Sequence, residues 1–294
     1  MQILDGKLVS ATIKQNLKEK ISRMPDLRPP HLAAILIGNN TASETYVANK
    51  IKSCEEAGFS SSLYSFDSDI SKQILLNKIQ ELNEDEKVDG ILVQLPLPSH
   101  ISESEILEAV HPSKDVDGFH PLNAGRLMQG KPCYVPATPY GIMLMLEHYK
   151  INTAGKHAVV IGRSNIVGRP MSILLSGNSE PGNCTVTVCH SRSKDIEAIC
   201  KNADIIVAAI GKAGFVKASM VREGAIVIDV GINRVDDPGK KSGFRLTGDV
   251  DFAPVAPLCS FITPVPGGVG PMTIAALMKN TFRAWADKFH LSDL

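Results

Sequence analysis

The chain has no excess charge of either sign, with 31 Lys and Arg against 31 Asp and Glu. Without a basic field nothing general draws it to nucleic acid or to an anionic membrane, so any anion must be held by a local arrangement of donors. No apolar run reaches transmembrane length, and the first thirty residues alternate apolar with charged positions where a signal peptide would show one uninterrupted apolar stretch. The six cysteines, Cys54, Cys133, Cys184, Cys189, Cys200 and Cys259, form no CxxC pair and have no histidine at zinc-finger spacing. They read as reduced thiols of a cytosolic protein without a metal site. Fixed-period repeats and low-complexity tracts are also missing. What remains is a globular composition, 44% hydrophobic and 21% charged, in 294 residues, enough for two domains that each bury a core. Function should lie in a site.

The first half alternates apolar β-rich runs with amphipathic segments, which predicts a parallel sheet with crossover helices. LAAILIG (32–38), SSLYSF (61–66) and GILVQLP (90–96) read as strands. Helices are expected from Thr41, as cap, to Ala57, where Gly58 stops the turn, and near 71–83. Ser102 to Glu105 reads as a capping box for a short helix towards His111. The stretch 111–137, rich in Pro, Gly and Asp, reads as a long functional loop. Thr138-Pro139 should then cap the next helix. The second half predicts strands at 157–162, 185–191, 204–211 and 225–231 with helices between the first three, a second doubly wound parallel sheet. Near the end, Ile274, Leu277, Met278, Thr281, Phe282, Trp285 and Phe289 make one helical stripe that must dock on a core.

GRSNIVGRP (162–170) follows a buried strand and precedes a helix opened by Pro170. It is a variant of the dinucleotide fingerprint: Gly162 permits the tight turn, Gly168 lets helix and strand approach, and Ser164 replaces the usual middle glycine, adding a hydroxyl donor. A structural turn in an α/β protein is the competing reading. The next strand ends His190-Ser191-Arg192, with no acid before Asp195. An acid there would favour NAD by binding the ribose and repelling a 2′-phosphate. Arg163 and Arg192 with the Ser191 hydroxyl suit that phosphate, so NADP is preferred.

In TASETYVANKIKS, Ser43, Tyr46 and Lys50 stand at i, i+3 and i+7, on one helical face. An ordinary solvent-facing lysine beside Lys52 would look the same. Gln94 lies near the carboxyl end of its strand, the edge where open parallel sheets bind ligands, and Asp117 lies in the long loop that follows. A lysine, an amide, a phenol and a carboxylate together could bind a polar heterocycle and move protons.

With these residues in view, the chain closely resembles the bifunctional methylenetetrahydrofolate dehydrogenase/methenyltetrahydrofolate cyclohydrolase family over nearly its full length. The motifs YVANK, DGILVQLPLP, PSKDVDGFHPLNAGRL, GRSNIVGRP, GAIVIDVGIN, LTGDVDF and TPVPGGVGPMT occur in order. The resemblance implies oxidation of 5,10-methylenetetrahydrofolate with NADP, then hydrolysis of the methenyl product to 10-formyltetrahydrofolate at the same site. It implies Lys50 as the main catalytic residue, Gln94 orienting it, Tyr46 stacking on the folate rings and Asp117 bonding the pterin. Ser43, Pro264 and Gly267 would complete the substrate site. Gly162, Arg163, Ser164, Gly168, Ser191 and Arg192 would hold NADP, with Ile232 and Thr273 near the nicotinamide. The family commonly has histidine-serine-lysine-threonine where this chain has His190-Ser191-Arg192-Ser193, and SGNSEPGNCT looks longer than the usual connection. The implied plan is a folate-binding catalytic domain of residues 1–137 and 270–294 and an NADP-binding Rossmann-like domain of 138–269, homodimerising through the latter. A monofunctional dehydrogenase, a non-catalytic NADP sensor and a shikimate-dehydrogenase-like enzyme are the alternatives.

Overall fold

A computed structural model describes residues 1–240 and 243–291. The chain opens with β1 (Gln2–Ile3), α1 (Gly6–Ser22), β2 (His31–Ile37), α2 (Thr41–Glu56) and β3 (Ser60–Phe66). It continues through α3 (Lys72–Glu84), β4 (Gly90–Val93), α4 (Glu103–Ala109), α5 (Pro121–Met128) and α6 (Ala137–His148). The second half holds β5 (His157–Ile161), α7 (Gly168–Ser176), β6 (Thr185–Cys189), α8 (Ile196–Lys201), β7 (Ile205–Ala208) and β8 (Ala225–Asp229). A hairpin of β9 (Asn233–Asp236) and β10 (Phe244–Thr247) follows, then α9 (Phe252–Val255), β11 (Cys259–Ile262) and α10 (Val269–Lys288). By packing, Met1–Ser10 joins Thr138–Thr273 in one unit, and Ala11–Ala137 joins the chain from Ile274 in another.

The second of these units has three parallel strands in the order β3-β2-β4. β2, HLAAILI, is apolar along its length because it is the middle strand and both faces are covered. Ala33, Ile35 and Ile37 meet Leu75, Ile79 and Leu82 of α3, with Ile91, Val93 and Ile106 closing the core. The α10 stripe docks in this unit: Trp285 is fully buried and donates its indole N–H to the Arg28 carbonyl at 2.8 Å, and Asn280 donates to the carbonyls of Val116 and Val135. Trp285→Ala should therefore cost about 3–5 kcal/mol. Urea unfolding followed by circular dichroism measures it, since this is the sole tryptophan.

The other unit has six parallel strands in the order β1-β11-β8-β7-β5-β6. Chain order reverses about β5, so the crevice beyond its carboxyl end is the switch point where doubly wound sheets take their ligands. The sequence expectation of four strands here is met and exceeded. β1, only two residues long, pairs with β11, which puts the first ten residues in this unit and not with the rest of 1–137.

Other differences are local. Asn40, not Thr41, caps α2, its side-chain oxygen accepting from the N–H groups of Ala42 and Ser43. α6 begins at Ala137, and the hydroxyl expected to cap it, that of Thr138, instead bonds the Thr273 hydroxyl at 3.0 Å. α7 starts at Gly168, two residues before Pro170. The stretch 111–137 contains α5, opened by Pro121 and capped by His120 Nδ1, which accepts from the Leu122 N–H at 3.0 Å.

Candidate active site

In the three-stranded unit α2 follows β2, and its Ser43–Val47–Lys50–Cys54 face is buried. Lys50 is only 4% exposed, which rules out the solvent-facing reading. Its Nζ donates to Gln94 Oε1 at 3.3 Å and lies 4.6 Å from the Tyr46 ring centre. β4 ends at Val93, one residue short of Gln94, whose amide N–H₂ donates to the Leu95 carbonyl at 2.7 Å. That bond turns Oε1 towards the lysine.

Two influences compete over the Lys50 charge. Burial, the larger, holds its pKa below the ordinary lysine value, while Asp117 and, more weakly, Cys54 pull it up. The Tyr46 ring face also favours the ammonium, by about 0.5–2 kcal/mol. Asp117 is itself raised by burial, opposed by Lys50. Cys54, one turn beyond Lys50, is pushed up to about 12 by burial and is inert as a nucleophile.

The residue that sequence reading overlooked is Asp115. Buried, and raised to about 6 chiefly by that burial, it accepts from the N–H groups of Phe119 and His120 at 3.0 and 2.8 Å and from Asn123 Nδ2 at 2.8 Å. These bonds hold the turn that carries Asp117. The i, i+2 pair of aspartates in KDVDGF was the available signal. Tyr46, Lys50, Gln94 and Asp117 are thus brought together, with Ser43 buried two turns before Lys50. A cavity of about 630 Å³ in the same unit lies elsewhere, lined by Val88, Asp89, Lys114, Arg126, Arg283 and Lys288 near the amino end of β4.

In the six-stranded unit Gly162 directly follows β5 with φ +128°, and a Cβ there would overlap the Ala209 carbonyl oxygen. A Cβ at Gly168 would overlap the Gly162 carbonyl oxygen, so both glycines are required by close approach. Arg163, Ser164, Ser191 and Arg192 are exposed. Ser164 does more than expected: its Oγ accepts from the N–H groups of Val167 and Gly168 at 3.2 and 3.4 Å, so helix-start donors assigned to phosphate are partly engaged. β6 stops at Cys189, and His190–Ser193 is a turn in which Ser193 Oγ accepts from the His190 N–H at 3.0 Å. Ile232 is 57% exposed, unusual for its size. Thr273, Pro264 and Gly267 also belong to this unit, Gly267 at φ +110° with its carbonyl accepting from the Lys7 N–H.

Comparison with known proteins finds two family domains, whose bounds differ from those of the packing units at residues 4–10 and 274–289. Residues 4–117 match the tetrahydrofolate dehydrogenase/cyclohydrolase catalytic domain, and 136–289 match the NAD(P)-binding domain of the same description. The bifunctional protein FolD of Bacteroides fragilis is 58% identical over 97% of this chain and 98% of its own. The bifunctional FolD crystal structure from Campylobacter jejuni is 48% identical, with TM-score 0.91 over 98% of this chain and 99% of that one. The Trypanosoma brucei methylenetetrahydrofolate dehydrogenase-cyclohydrolase, solved with NADP and an inhibitor, is 37% identical, with TM-score 0.92 over 97% of each chain.

Proposed function

The chain belongs to the tetrahydrofolate dehydrogenase/cyclohydrolase family, and from that premise we propose how its own residues divide the chemistry. It oxidises 5,10-methylenetetrahydrofolate with NADP and hydrolyses 5,10-methenyltetrahydrofolate to 10-formyltetrahydrofolate. The observation that carries the division is the burial of Lys50, which lowers the pKa of its amine and so favours the neutral form that a general base needs. In hydrolysis the water oxygen bonds to the methenyl carbon while a water proton passes to Lys50 Nζ. The bond from that carbon to N5 then breaks as N5 takes the proton back from Lys50 and the carbinol O–H proton leaves to solvent, which closes the C=O of the formyl group on N10. Gln94 Oε1 accepts from the amine and so aims its lone pair. Tyr46 offers a ring face to the folate, and Asp117 accepts from pterin N–H groups. Ser43, buried on the same face of α2, adds to substrate binding.

The glycine cradle fits a dinucleotide, because a side chain at Gly162 or Gly168 would fill the close approach of strand and helix. Arg163, Ser164, Ser191 and Arg192 would hold the phosphates, and Ile232 and Thr273 the nicotinamide end. NADP, when bound, supplies the hydride acceptor. Arg163→Ala should weaken NADP about 10–100-fold, the scale of a charge-assisted bond, and leave NAD nearly unchanged. Titration with both dinucleotides checks it, and equal weakening of both would contradict the assignment. The same reading places the protein in the cytosol as a homodimer formed through the cofactor unit, feeding one-carbon units to purine biosynthesis.

A spectrophotometric assay of methenyl formation with NADP and NAD in parallel, and of methenyl decay without either, tests the whole reading. NADP-dependent formation and cofactor-free decay are expected. Formation without decay would leave a monofunctional dehydrogenase, and neither activity would leave a sensor.

A further inference from the structure

Two buried carboxylates in the six-stranded unit have no part in the chemistry above. Asp249 is completely buried, and its oxygens accept four hydrogen bonds. Oδ2 takes the N–H groups of Ile210 and Gly211 at 2.7 and 2.9 Å, and Oδ1 takes the N–H of Lys212 at 2.8 Å and Asn233 Nδ2 at 2.9 Å. Three successive backbone N–H groups converging on one anion form a nest of the kind that elsewhere captures phosphate. Here the chain fills its own nest. Asp229, 3% exposed, accepts from Gly231, Asp249 and Val250 N–H groups at 2.8–3.0 Å, and its own N–H donates to Thr263 Oγ1 at 2.7 Å.

The sequence makes room for both carboxylates. A Cβ at Gly231 would overlap Asp249 Oδ1, and one at Gly248 would overlap Asp229 Oδ2. The carboxylates join the loops that leave the carboxyl ends of β7 and β8, the edge at which such sheets take ligands, to the turn after β10 that carries Asp249 itself. One of them carries the exposed Ile232, and another begins at Ala209, whose carbonyl bounds the Gly162 turn.

We propose that Asp249 and Asp229 are positioning residues for the dinucleotide, holding the loops after β7 and β8 against the turn after β10 in the one arrangement that receives it. They touch no substrate. Their anions replace water and solvent phosphate as acceptors for N–H groups that would otherwise leave those loops free to move. This rests on the reading of the six-stranded unit as the NADP site.

The test uses the full-length protein carrying Asp249→Asn, and separately Gly231→Ala and Asn233→Ala, which disturb the same oxygen should the first variant fail to fold. NADP affinity is read by titration, KM and kcat by the dehydrogenase assay, and methenyl hydrolysis without cofactor. The NADP Kd and KM of Asp249→Asn should rise about ten-fold or more, the scale of losing a charge-assisted bond. Gly231→Ala should follow in the same direction, Asn233→Ala more weakly, with kcat at saturating NADP and the hydrolysis rate within two-fold of wild type. An unchanged KM in folded variants would overturn the proposal, and so would a parallel loss of kcat and hydrolysis, which marks a purely structural role. Failure of the wild type itself to bind NADP would instead refute the underlying cofactor reading.

Discussion

Lys50→Met is expected to reduce methenyl hydrolysis by about 10²–10⁴-fold, the contribution of a positioned general base, while NADP affinity stays at the wild-type value. Methionine keeps most of the volume of the lysine stem, so the buried face of α2 remains filled. Removing an amine that is 4% exposed also relieves a desolvation cost, so stability should not fall. The pH dependence carries the sign. The folded-state pKa of Lys50 lies below its ordinary value, so between the two the unfolded chain binds more protons than the folded one. Stability contributed at this position therefore rises with pH across that window, and hydrolysis rises with the neutral amine. Both rises should vanish in Lys50→Met. Hydrolysis at the wild-type rate in this variant would remove Lys50 from the mechanism.

Gly162→Ala is expected to cost NADP binding two orders of magnitude or more and to lower the melting temperature. Two costs add. The position holds φ +128°, a conformation that costs a residue with a side chain about 1–3 kcal/mol. The new methyl group would also overlap the Ala209 carbonyl oxygen, and overpacking typically costs about 1–3 kcal/mol more. Ile161 and Ala208 are register partners across β5 and β7, so the ladder resists the separation that would relieve the clash. Together the costs correspond to a fall of about 5–15 °C in melting temperature. Scanning calorimetry and NADP titration read both effects, and an unchanged melting temperature would contradict the steric account.

Much of the frame was legible in the sequence, for identifiable reasons. β2, β3 and α2 fall within a residue of expectation because each is a run of one hydrophobic period closed by Gly, Pro or a polar cap, whereas β4 ends at Val93, three residues short of the expected 96. Short elements escaped. β1 has two residues and exists only through its pairing with β11, and α5 hides behind Pro121 and Gly125 in a stretch whose composition reads as loop. The cap of α2 went to Asn40 over its neighbour Thr41, a choice between two competent residues that local sequence does not decide.

The site was legible in part. Periodicity put Ser43, Tyr46 and Lys50 on one face, but whether that face is buried depends on the strand end and loop packed over it. Lysine is almost never buried by default, so its burial here is information that only tertiary packing supplies. The carboxylates that hold loops were less visible still. Asp115 was passed over for Asp117, and Asp249 looked like one acid among many until the converging N–H groups identified it.

The central claim is that burial keeps the Lys50 amine neutral part of the time beside Gln94. Nuclear magnetic resonance titration of lysine side chains, with Lys50→Met assigning the signal, tests it directly. The account predicts a Lys50 midpoint below those of the exposed lysines and matching the rise of hydrolysis with pH. A midpoint at or above the ordinary lysine value of 10.5 would contradict it.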